Sequence, residues 1–365
     1  MTTRRILHIV GRMDRAGAET MIMNLYREID RSQYQFDFAY FTNDRCDFDD
    51  EIEALGGRII RLKGDNPVQR FWSLFKALRA GEWSIVQSHM LFGIGLNLLA
   101  ARLAGVPVRI AHSHSTSDAN SSSAVGRMYQ RAMRWLMSWV PTRYVACGTA
   151  AAEYLFPGQP NVEIIPNAVD IDRFAQADGS GIRRELAIPD GCITILQVGR
   201  LMPVKNHTWS VDVAAALREL GVDFRMLFVG AGPDKAGLET KVAELGLGEN
   251  VKLLGLREDI AELMAAADVM LMPSLHEGFP VVLVESQAAG LPAVISSAIS
   301  PEVDLGLGLV EFVGLSEGAE LWAERIVDSA HNGEVEGAVR KVALEKHGFS
   351  SKAGAKRLAE LYQTA

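Results

Sequence analysis

The chain has 365 residues, of which 48% are hydrophobic and 22% charged, with a formal net charge of −8. That length is more than one hydrophobic core usually serves, so two soluble globular domains are expected. The negative balance provides no basic footprint for nucleic acid, and three widely spaced cysteines (Cys46, Cys147, Cys192) exclude a disulfide framework or a zinc site, which fits a reducing cytosol.

The first apolar run, Ile6 to Val10, follows two arginines but is too short for a signal peptide, and is predicted to be a strand. From Arg4 to about Pro141 short apolar runs alternate with helical patterns: AETMIMNLYREI, FDFAYF, EIEAL, GRIIRL, FWSLFKALRA, SIVQSH, GLNLLAARLAG and VRIAHSH. Such alternation predicts a parallel, doubly wound α/β sheet. No window of about twenty residues is free of charges or turn breakers, so no transmembrane helix is expected. Within GRMYQRAMRWLMSWV, Arg127, Arg131 and Arg134 share a helical face beside Met128, Trp135 and Trp139. The broad apolar arc fits a helix docked on a sheet, and also fits peripheral contact with a membrane.

Asn167 to Gly191 is rich in Asp, Gly and Ala without a long apolar run, and is assigned to a linker. A second β/α series then runs from TILQVG through HTWSVDVAAALREL, FRMLFVG, AGLETKVAELG, VKLLG, IAELMAAA and DVMLMP. The expected division is 1–170 for the first Rossmann-like domain, 171–191 for the linker, 192–348 for the second, and 349–365 for a terminal amphipathic helix with Leu358, Leu361 and Tyr362 inward. Both series open on a strand ending in Gly-Arg, at Gly11-Arg12 and Gly199-Arg200.

The segment PSLHEGFPVVLVESQAAGLPAVISS, residues 273–297, carries the most chemistry. Pro280 suits the first position of a helix, where its missing N–H would be unpaired anyway. The turn Glu277-Gly278-Phe279 before it offers backbone N–H groups that join the helix dipole in favouring an anion such as phosphate. Glu285 lies roughly 7–8 Å further along the axis, at about 1.5 Å per residue, so it can reach a different part of a ligand from Glu277. Gly290 is placed to end the helix, and Ala293-Val294-Ile295 to form a buried strand.

Ligands of open α/β sheets sit beyond the carboxyl ends of strands. Arg200 and Lys205, in VGRLMPVKN, occupy such a position, where Arg can fork onto a diphosphate and Lys can act as a point charge. Gly17, in RAGAET, can allow close backbone approach to a phosphate. His114, in RIAHSHSTSD, follows a strand and precedes a small-polar stretch, Ser113 to Ser123, that fits a mobile loop. His112 is the alternative in that register, and His89, in VQSHM, ends another strand. Gly230 and Gly232 make a Gly-x-Gly after a strand, a weak dinucleotide signal without its third glycine or distal acid, and no Gly-Lys-Ser/Thr loop occurs.

The 273–297 segment, with Glu277 and Glu285 separated by seven residues, resembles the signature of retaining glycosyltransferases of the two-domain GT-B architecture, especially family 4. The resemblance covers nearly the whole chain and implies two Rossmann-like domains facing across a cleft. It implies that Glu277 holds the transferred sugar, that the Gly278-Phe279-Pro280 backbone contacts sugar and phosphate, and that Glu285 binds the ribose. Arg200 and Lys205 would hold the donor diphosphate, His114 would stand near the donor sugar, Gly230 would line the nucleotide side, and His89 would line the acceptor cleft. The family's Gly-Gly-Ala-Glu is Ala16-Gly17-Ala18-Glu19 here, and its Pro-Asn-Gly-Val-Asp has Ala168 in place of glycine. By the same resemblance the last helix crosses back to the first domain.

Two Asp-x-Asp sequences, Asp47-Phe48-Asp49 and Asp170-Ile171-Asp172, have the spacing that binds divalent metal in the other glycosyltransferase architecture. The first is placed at a helix N-terminus and the second in the interdomain segment, so no metal and no cofactor are expected. The expected partners are a nucleotide-sugar, with UDP favoured over GDP, and a glycan or lipid-linked acceptor. A sugar-nucleotide epimerase, a glycosyl phosphorylase and a binding-only relative share the architecture and remain alternatives.

Overall fold

The computed structural model describes residues 3–15, 17–115, 123–331 and 335–364. The chain divides into two compact units, residues 1–169 with 348–365, and residues 170–347.

Unit 1 runs β1 (Arg4–Ile9), α1 (Gly17–Glu28), β2 (Tyr34–Tyr40), α2 (Asp49–Ala54), β3 (Ile59–Arg61), α3 (Pro67–Ala80), β4 (Ile85–Ser88), α4 (Ile94–Ala104), β5 (Val108–Ser113), α5 (Ala124–Met137), β6 (Arg143–Ala146), α6 (Thr149–Leu155) and β7 (Val162–Ile164). All seven strands are parallel, in the order β3-β2-β1-β4-β5-β6-β7. A strand buried on both faces needs no polar alternation, and β2 is buried along its whole length. One face of the sheet packs on α1 through Met21, Leu25 and Tyr26. The opposite face packs on α3, α4 and α5 through Leu74, Leu98 and Met133.

Unit 2 contains α7 (Ile171–Ala175), α8 (Ser180–Glu185), β8 (Ile193–Val198), α9 (His207–Glu219), β9 (Phe224–Val229), α10 (Lys235–Glu244), β10 (Val251–Gly255), α11 (Ile260–Ala266), β11 (Val269–Met272), α12 (Val281–Ala289), β12 (Ala293–Ser296), β13 (Val310–Val313), α13 (Ala319–Ala330) and α14 (Gly337–Lys346). Its six strands are parallel, in the order β10-β9-β8-β11-β12-β13. The stretch 171–191, expected as a linker, instead folds into unit 2 as α7 and α8. Ile171, Phe174 and Ile182 are buried, and the Arg183 guanidinium donates to the Ala266 carbonyl at 2.8 Å. A one- or two-turn helix needs only one or two anchors, which a search for long apolar runs passes over.

The last helix, α15 (Ser351–Gln363), belongs to unit 1. Ser350 caps it by accepting from the Ala353 amide. Leu358 and Tyr362 are buried as expected, in one cluster with Ile6, Leu25 and Phe36, and Leu361 is partly buried. Cys46, Cys147 and Cys192 are buried and free. Among the described residues no helix is long and apolar enough to cross a membrane.

The docked face of α5 is Gln130, Met133, Leu136 and Met137, whereas Met128, Trp135 and Trp139 are exposed. Arg127 and Arg131 therefore share the outer side with the aromatic residues, whereas Arg134 turns inward, its guanidinium 5.0 Å from the Phe92 ring centre and donating to the Tyr154 carbonyl at 3.3 Å, and the sheet takes a different apolar edge of the same helix. Of the expected loop Ser113 to Ser123, residues 116–122 lie outside the described residues.

Candidate active site

Two loops of unit 2 converge. Residues 199–206, between β8 and α9, are stitched to residues 273–280, between β11 and α12. The Asn206 side-chain amide donates to the Pro273 carbonyl at 3.1 Å, and the Leu275 amide donates to Val204 at 2.8 Å. Buried Gln197 on β8 donates to the Lys205 carbonyl at 3.0 Å and accepts from the Ser210 hydroxyl at 2.6 Å. Asn206 turns the chain into α9 with φ 56° and ψ 39°, a left-handed conformation that Asn tolerates better than most residues. These fixings hold Lys205 so that its Nζ donates to Glu277 Oε1 at 2.7 Å.

The Lys205–Glu277 pair is poorly solvated, with side chains 21% and 11% exposed. Arg200, in contrast, is exposed and makes no ion pair among the described residues. Its counterpart in unit 1, Arg12, is committed to Asp14 at 2.6 Å and Asp44 at 3.0 Å, so the shared Gly-Arg opening serves two different ends.

The helix after the loop begins at Val281, one residue later than expected. Pro280, at φ −78° and ψ 97°, is still extended and acts as the N-cap, its carbonyl accepting from the Leu283 amide at 3.0 Å. The first-turn N–H groups of α12 therefore follow directly on Glu277-Gly278-Phe279-Pro280, which keeps the anion-favouring end of the dipole beside the ion pair. Gly290 ends the helix with φ 79°. Glu285 is partly buried on α12. Burial pushes its carboxyl up to about 7, against the opposing field of Arg173 on α7.

Gly230 has a packing role of its own. Its N–H donates to the Gly255 carbonyl at 2.8 Å, so that amide is spent inside the sheet edge. A Cβ on Gly230 would stand 2.0 Å from the Gly199 carbonyl oxygen, and one on Gly232 would stand 2.1 Å from that of Leu201. The Gly-x-Gly thus lets the β9 loop lie on the loop carrying Arg200 and Lys205, so backbone packing alone requires both glycines.

In unit 1 the sheet's carboxyl edge carries four histidines. His89 follows β4 and His114 follows β5, and both are partly exposed, whereas His8 in β1 and His112 in β5 are buried. His89 bridges its neighbours, with Nε2 3.0 Å from His8 Nδ1 and Nδ1 2.7 Å from His114 Nε2. The Tyr362 hydroxyl donates to Gln87 Oε1 at 2.6 Å, so the Gln87 amide donates to His112 Nδ1 at 2.7 Å and the His112 proton belongs on Nε2. Burial lowers His8 to about 3 and His114 to about 4, and burial with neighbouring imidazoles holds His89 and His112 well below the usual range. The cluster is neutral at pH 7. Ring nitrogens of His89, His112 and His114 lie within 4.8 Å of one another, a trio that could hold a metal ion. His8 and Gln87 were not singled out in the sequence, because an alternating strand pattern hides which residues end up beside one another at a sheet edge.

Gly17 is the first residue of α1 and is exposed. Nothing stands within 4 Å of where its Cβ would be, so packing does not demand glycine there. The Asp-x-Asp pairs are already engaged. Asp49 accepts from the Tyr40 hydroxyl, from the Cys46 amide at 3.0 Å and from Arg61 at 2.5 Å, and Asp47 accepts from the Arg15 amide at 2.9 Å. Asp170 caps α7 by accepting from the Arg173 amide at 3.1 Å, and Asp172 pairs with Lys341 at 2.8 Å.

Residues 15–173 match the family described as Glycosyltransferase Family 4, and residues 180–326 match Glycosyl transferases group 1. EpsF of Bacillus subtilis (strain 168), named as a glycosyltransferase, is 40% identical over 371 residues, covering 98% of this chain and 96% of its own. The chain belongs to this glycosyltransferase family. A further relative, the UDP-Gal:alpha-D-GlcNAc-diphosphoundecaprenol alpha-1,3-galactosyltransferase of Escherichia coli, is 29% identical over 62% of this chain and 60% of that one. The capsular polysaccharide biosynthesis glycosyltransferase CapH of Staphylococcus aureus is 25% identical over 77% of this chain and 78% of that one. Among solved structures, HepE of Anabaena in complex with UDP-glucose superposes with a TM-score of 0.81 at 19% identity, covering 99% of this chain and 100% of that one. WaaG, a glycosyltransferase involved in lipopolysaccharide biosynthesis, gives 0.72 at 15% identity, covering 98% and 99%. Both parallel sheets of this glycosyltransferase are those of the GT-B fold.

Proposed function

We propose that this glycosyltransferase moves a sugar, with retention of anomeric configuration, from a nucleotide-diphosphate sugar to an acceptor hydroxyl in polysaccharide biosynthesis, with UDP as the favoured nucleotide. The acceptor is a glycan or a lipid-linked glycan. The observation that supports this reading is the Lys205–Glu277 pair before the N-terminus of α12, a cation and a carboxylate held at 2.7 Å beside anion-seeking amides. The capsular and diphosphoundecaprenol relatives, and the UDP-glucose held by HepE, supply the substrate class.

Arg200, Lys205 and the first turn of α12 stabilise the departing diphosphate, and no nucleophile on the chain is needed. Glu277 and the Gly278-Phe279-Pro280 backbone hold the sugar, and Glu285 accepts from the ribose hydroxyls. Gly17 allows the backbone to approach the donor, His114 meets the transferred sugar as a neutral acceptor, and His89 serves the acceptor side. The leaving phosphate oxygen takes the acceptor proton as the new bond forms on the face the leaving group vacates.

Thermal-shift screening of UDP- and GDP-sugars is expected to single out a UDP-sugar, since a ligand of the native state stabilises by mass action. Product NMR is then expected to show the anomeric configuration of the donor. Inversion would refute retention, and interconversion of free nucleotide-sugars without an acceptor would favour the epimerase reading. Turnover is expected to survive dialysis against EDTA, because all four Asp-x-Asp carboxylates are engaged by protein donors. Loss of activity restored by zinc would point instead to the histidine trio.

A further inference from the structure

The helical layer formed by α3, α4 and α5 in unit 1 is unlike the rest of the surface. Thirteen large hydrophobic side chains are exposed among the described residues, and eight of them fall on this layer or directly after it. On α5 the exposed stripe is Val125, Met128, Ala132, Trp135 and, just past the helix, Trp139, spaced by three or four residues and so lying along one side. The helix docks on the sheet through a different edge, so this stripe is surplus to folding. Trp135 and Trp139 are 63% and 41% exposed and meet edge to face at 5.3 Å. The Arg102 guanidinium of α4 lies 4.8 Å from the Trp139 ring centre, joining the two helices at that end, and Leu103 beside it is 60% exposed. On α3, which packs on the other side of α4, Val68, Trp72, Lys76 and Arg79 share the outward face.

Charge completes the pattern. α3 carries Arg70, Lys76 and Arg79, α4 carries Arg102, and α5 carries Arg127, Arg131 and Arg134, and none of the three helices contains an Asp or Glu. In a chain of net charge −8 this is a local reversal of sign. A protein partner matched to this face by charge would have to be acidic and to cover three adjoining helices, α4 packing on both α3 and α5. Exposed tryptophans interleaved with basic residues, on helices without a single acid, suit the interface of an anionic bilayer, where indole rings settle at headgroup depth and basic side chains meet lipid phosphates.

We propose that the α3–α4–α5 face of unit 1 docks on an anionic membrane surface, with the Val125-to-Trp139 stripe inserted shallowly and Lys76, Arg79, Arg102 and Arg131 on the headgroups. The contact is peripheral and reversible, and its electrostatic part is weakened by salt.

The test is flotation of the full chain with vesicles of phosphatidylglycerol and phosphatidylethanolamine, beside vesicles of phosphatidylcholine alone. Co-flotation is expected with the anionic vesicles, little with the neutral ones, and at least tenfold less at 0.5 M NaCl than at 0.05 M. Trp135→Glu and the pair Lys76→Glu/Arg131→Glu are each expected to lower bound protein at least tenfold. All these side chains are exposed, so an unchanged Tm certifies folding, and Leu256→Glu on unit 2 is expected to float like the parent. Failure of the parent to float, or equal flotation of parent and face variants, would overturn the proposal. So would sedimentation showing a dimer that the same variants dissolve, because the face would then be covered by a second copy.

Discussion

Replacing Lys205 by methionine is expected to lower kcat by about 10²–10³-fold, the scale seen when one preorganised electrostatic contact to a developing charge is removed. The same change strands Glu277. A carboxylate that is 11% exposed and has lost its ammonium partner at 2.7 Å carries an uncompensated desolvation cost. Breaking fully buried pairs costs about 3–5 kcal/mol, so about 2 kcal/mol is expected for this less buried one. In a unit of this size that corresponds to a fall in Tm of about 4–8 °C. Glu277→Leu should cost a similar amount by stranding the lysine. Lys205→Met/Glu277→Leu should recover most of the lost stability, because no charge is left unpaired, while remaining inactive. Calorimetry and a radiolabelled-donor transfer assay on the four proteins decide the matter. Turnover within tenfold of the parent in Lys205→Met would remove the lysine from the chemistry, and additive losses of stability would show that the two side chains are not coupled.

The second large effect concerns Glu285 and pH. Its carboxyl is raised from an ordinary value of 4.5 to about 7, chiefly by burial. Below about pH 4.5 it is protonated in both the folded and the unfolded chain and exacts no penalty. Between about 4.5 and 7 the unfolded chain releases the proton while the native state retains it, so stability falls as pH rises, and above 7 the penalty is constant. Glu285→Gln is therefore expected to melt within about a degree of the parent at pH 4.5 and several degrees higher at pH 8. If Glu285 grips the ribose, the same variant should bind the nucleotide about tenfold more weakly at pH 8, through loss of a charge-assisted acceptor. A Tm difference that does not change between pH 4.5 and 8 would contradict the raised carboxyl, and undiminished nucleotide affinity would contradict the ribose contact.

Periodicity made most of the fold legible, because β/α alternation admits few topologies once the crossovers are right-handed. The 273–297 segment was legible down to its C-cap, with Gly290 at φ 79° as its type implies. The start of the helix was misplaced by one residue, since proline's fixed φ is compatible with both N1 and N-cap and only ψ separates them. Strands β6 and β7, with four and three residues, are shorter than any window in which a period can be counted. In the site, Lys205 and Glu277 were both singled out as types at the ends of strands, but their direct pairing was not, because 72 residues separate them. The packing demand at Gly230 is hidden in the sequence for a related reason. A glycine required by a neighbouring backbone and one required by a ligand look alike until the neighbour is seen. The outer stripe of α5 was visible as a pattern, but a helix with two apolar edges does not reveal which edge the sheet will take.

The return of α15 to unit 1 also has a consequence for biogenesis. Unit 2 is, in topological terms, an insertion within unit 1, whose core is closed by Leu358 and Tyr362 at the far end of the chain. On the ribosome, residues 170–347 emerge as one continuous stretch and can finish folding while the first unit still lacks a wall. The nascent first unit must wait with Leu25 and Phe36 incompletely covered, which makes it the part of the newborn chain that a chaperone would hold.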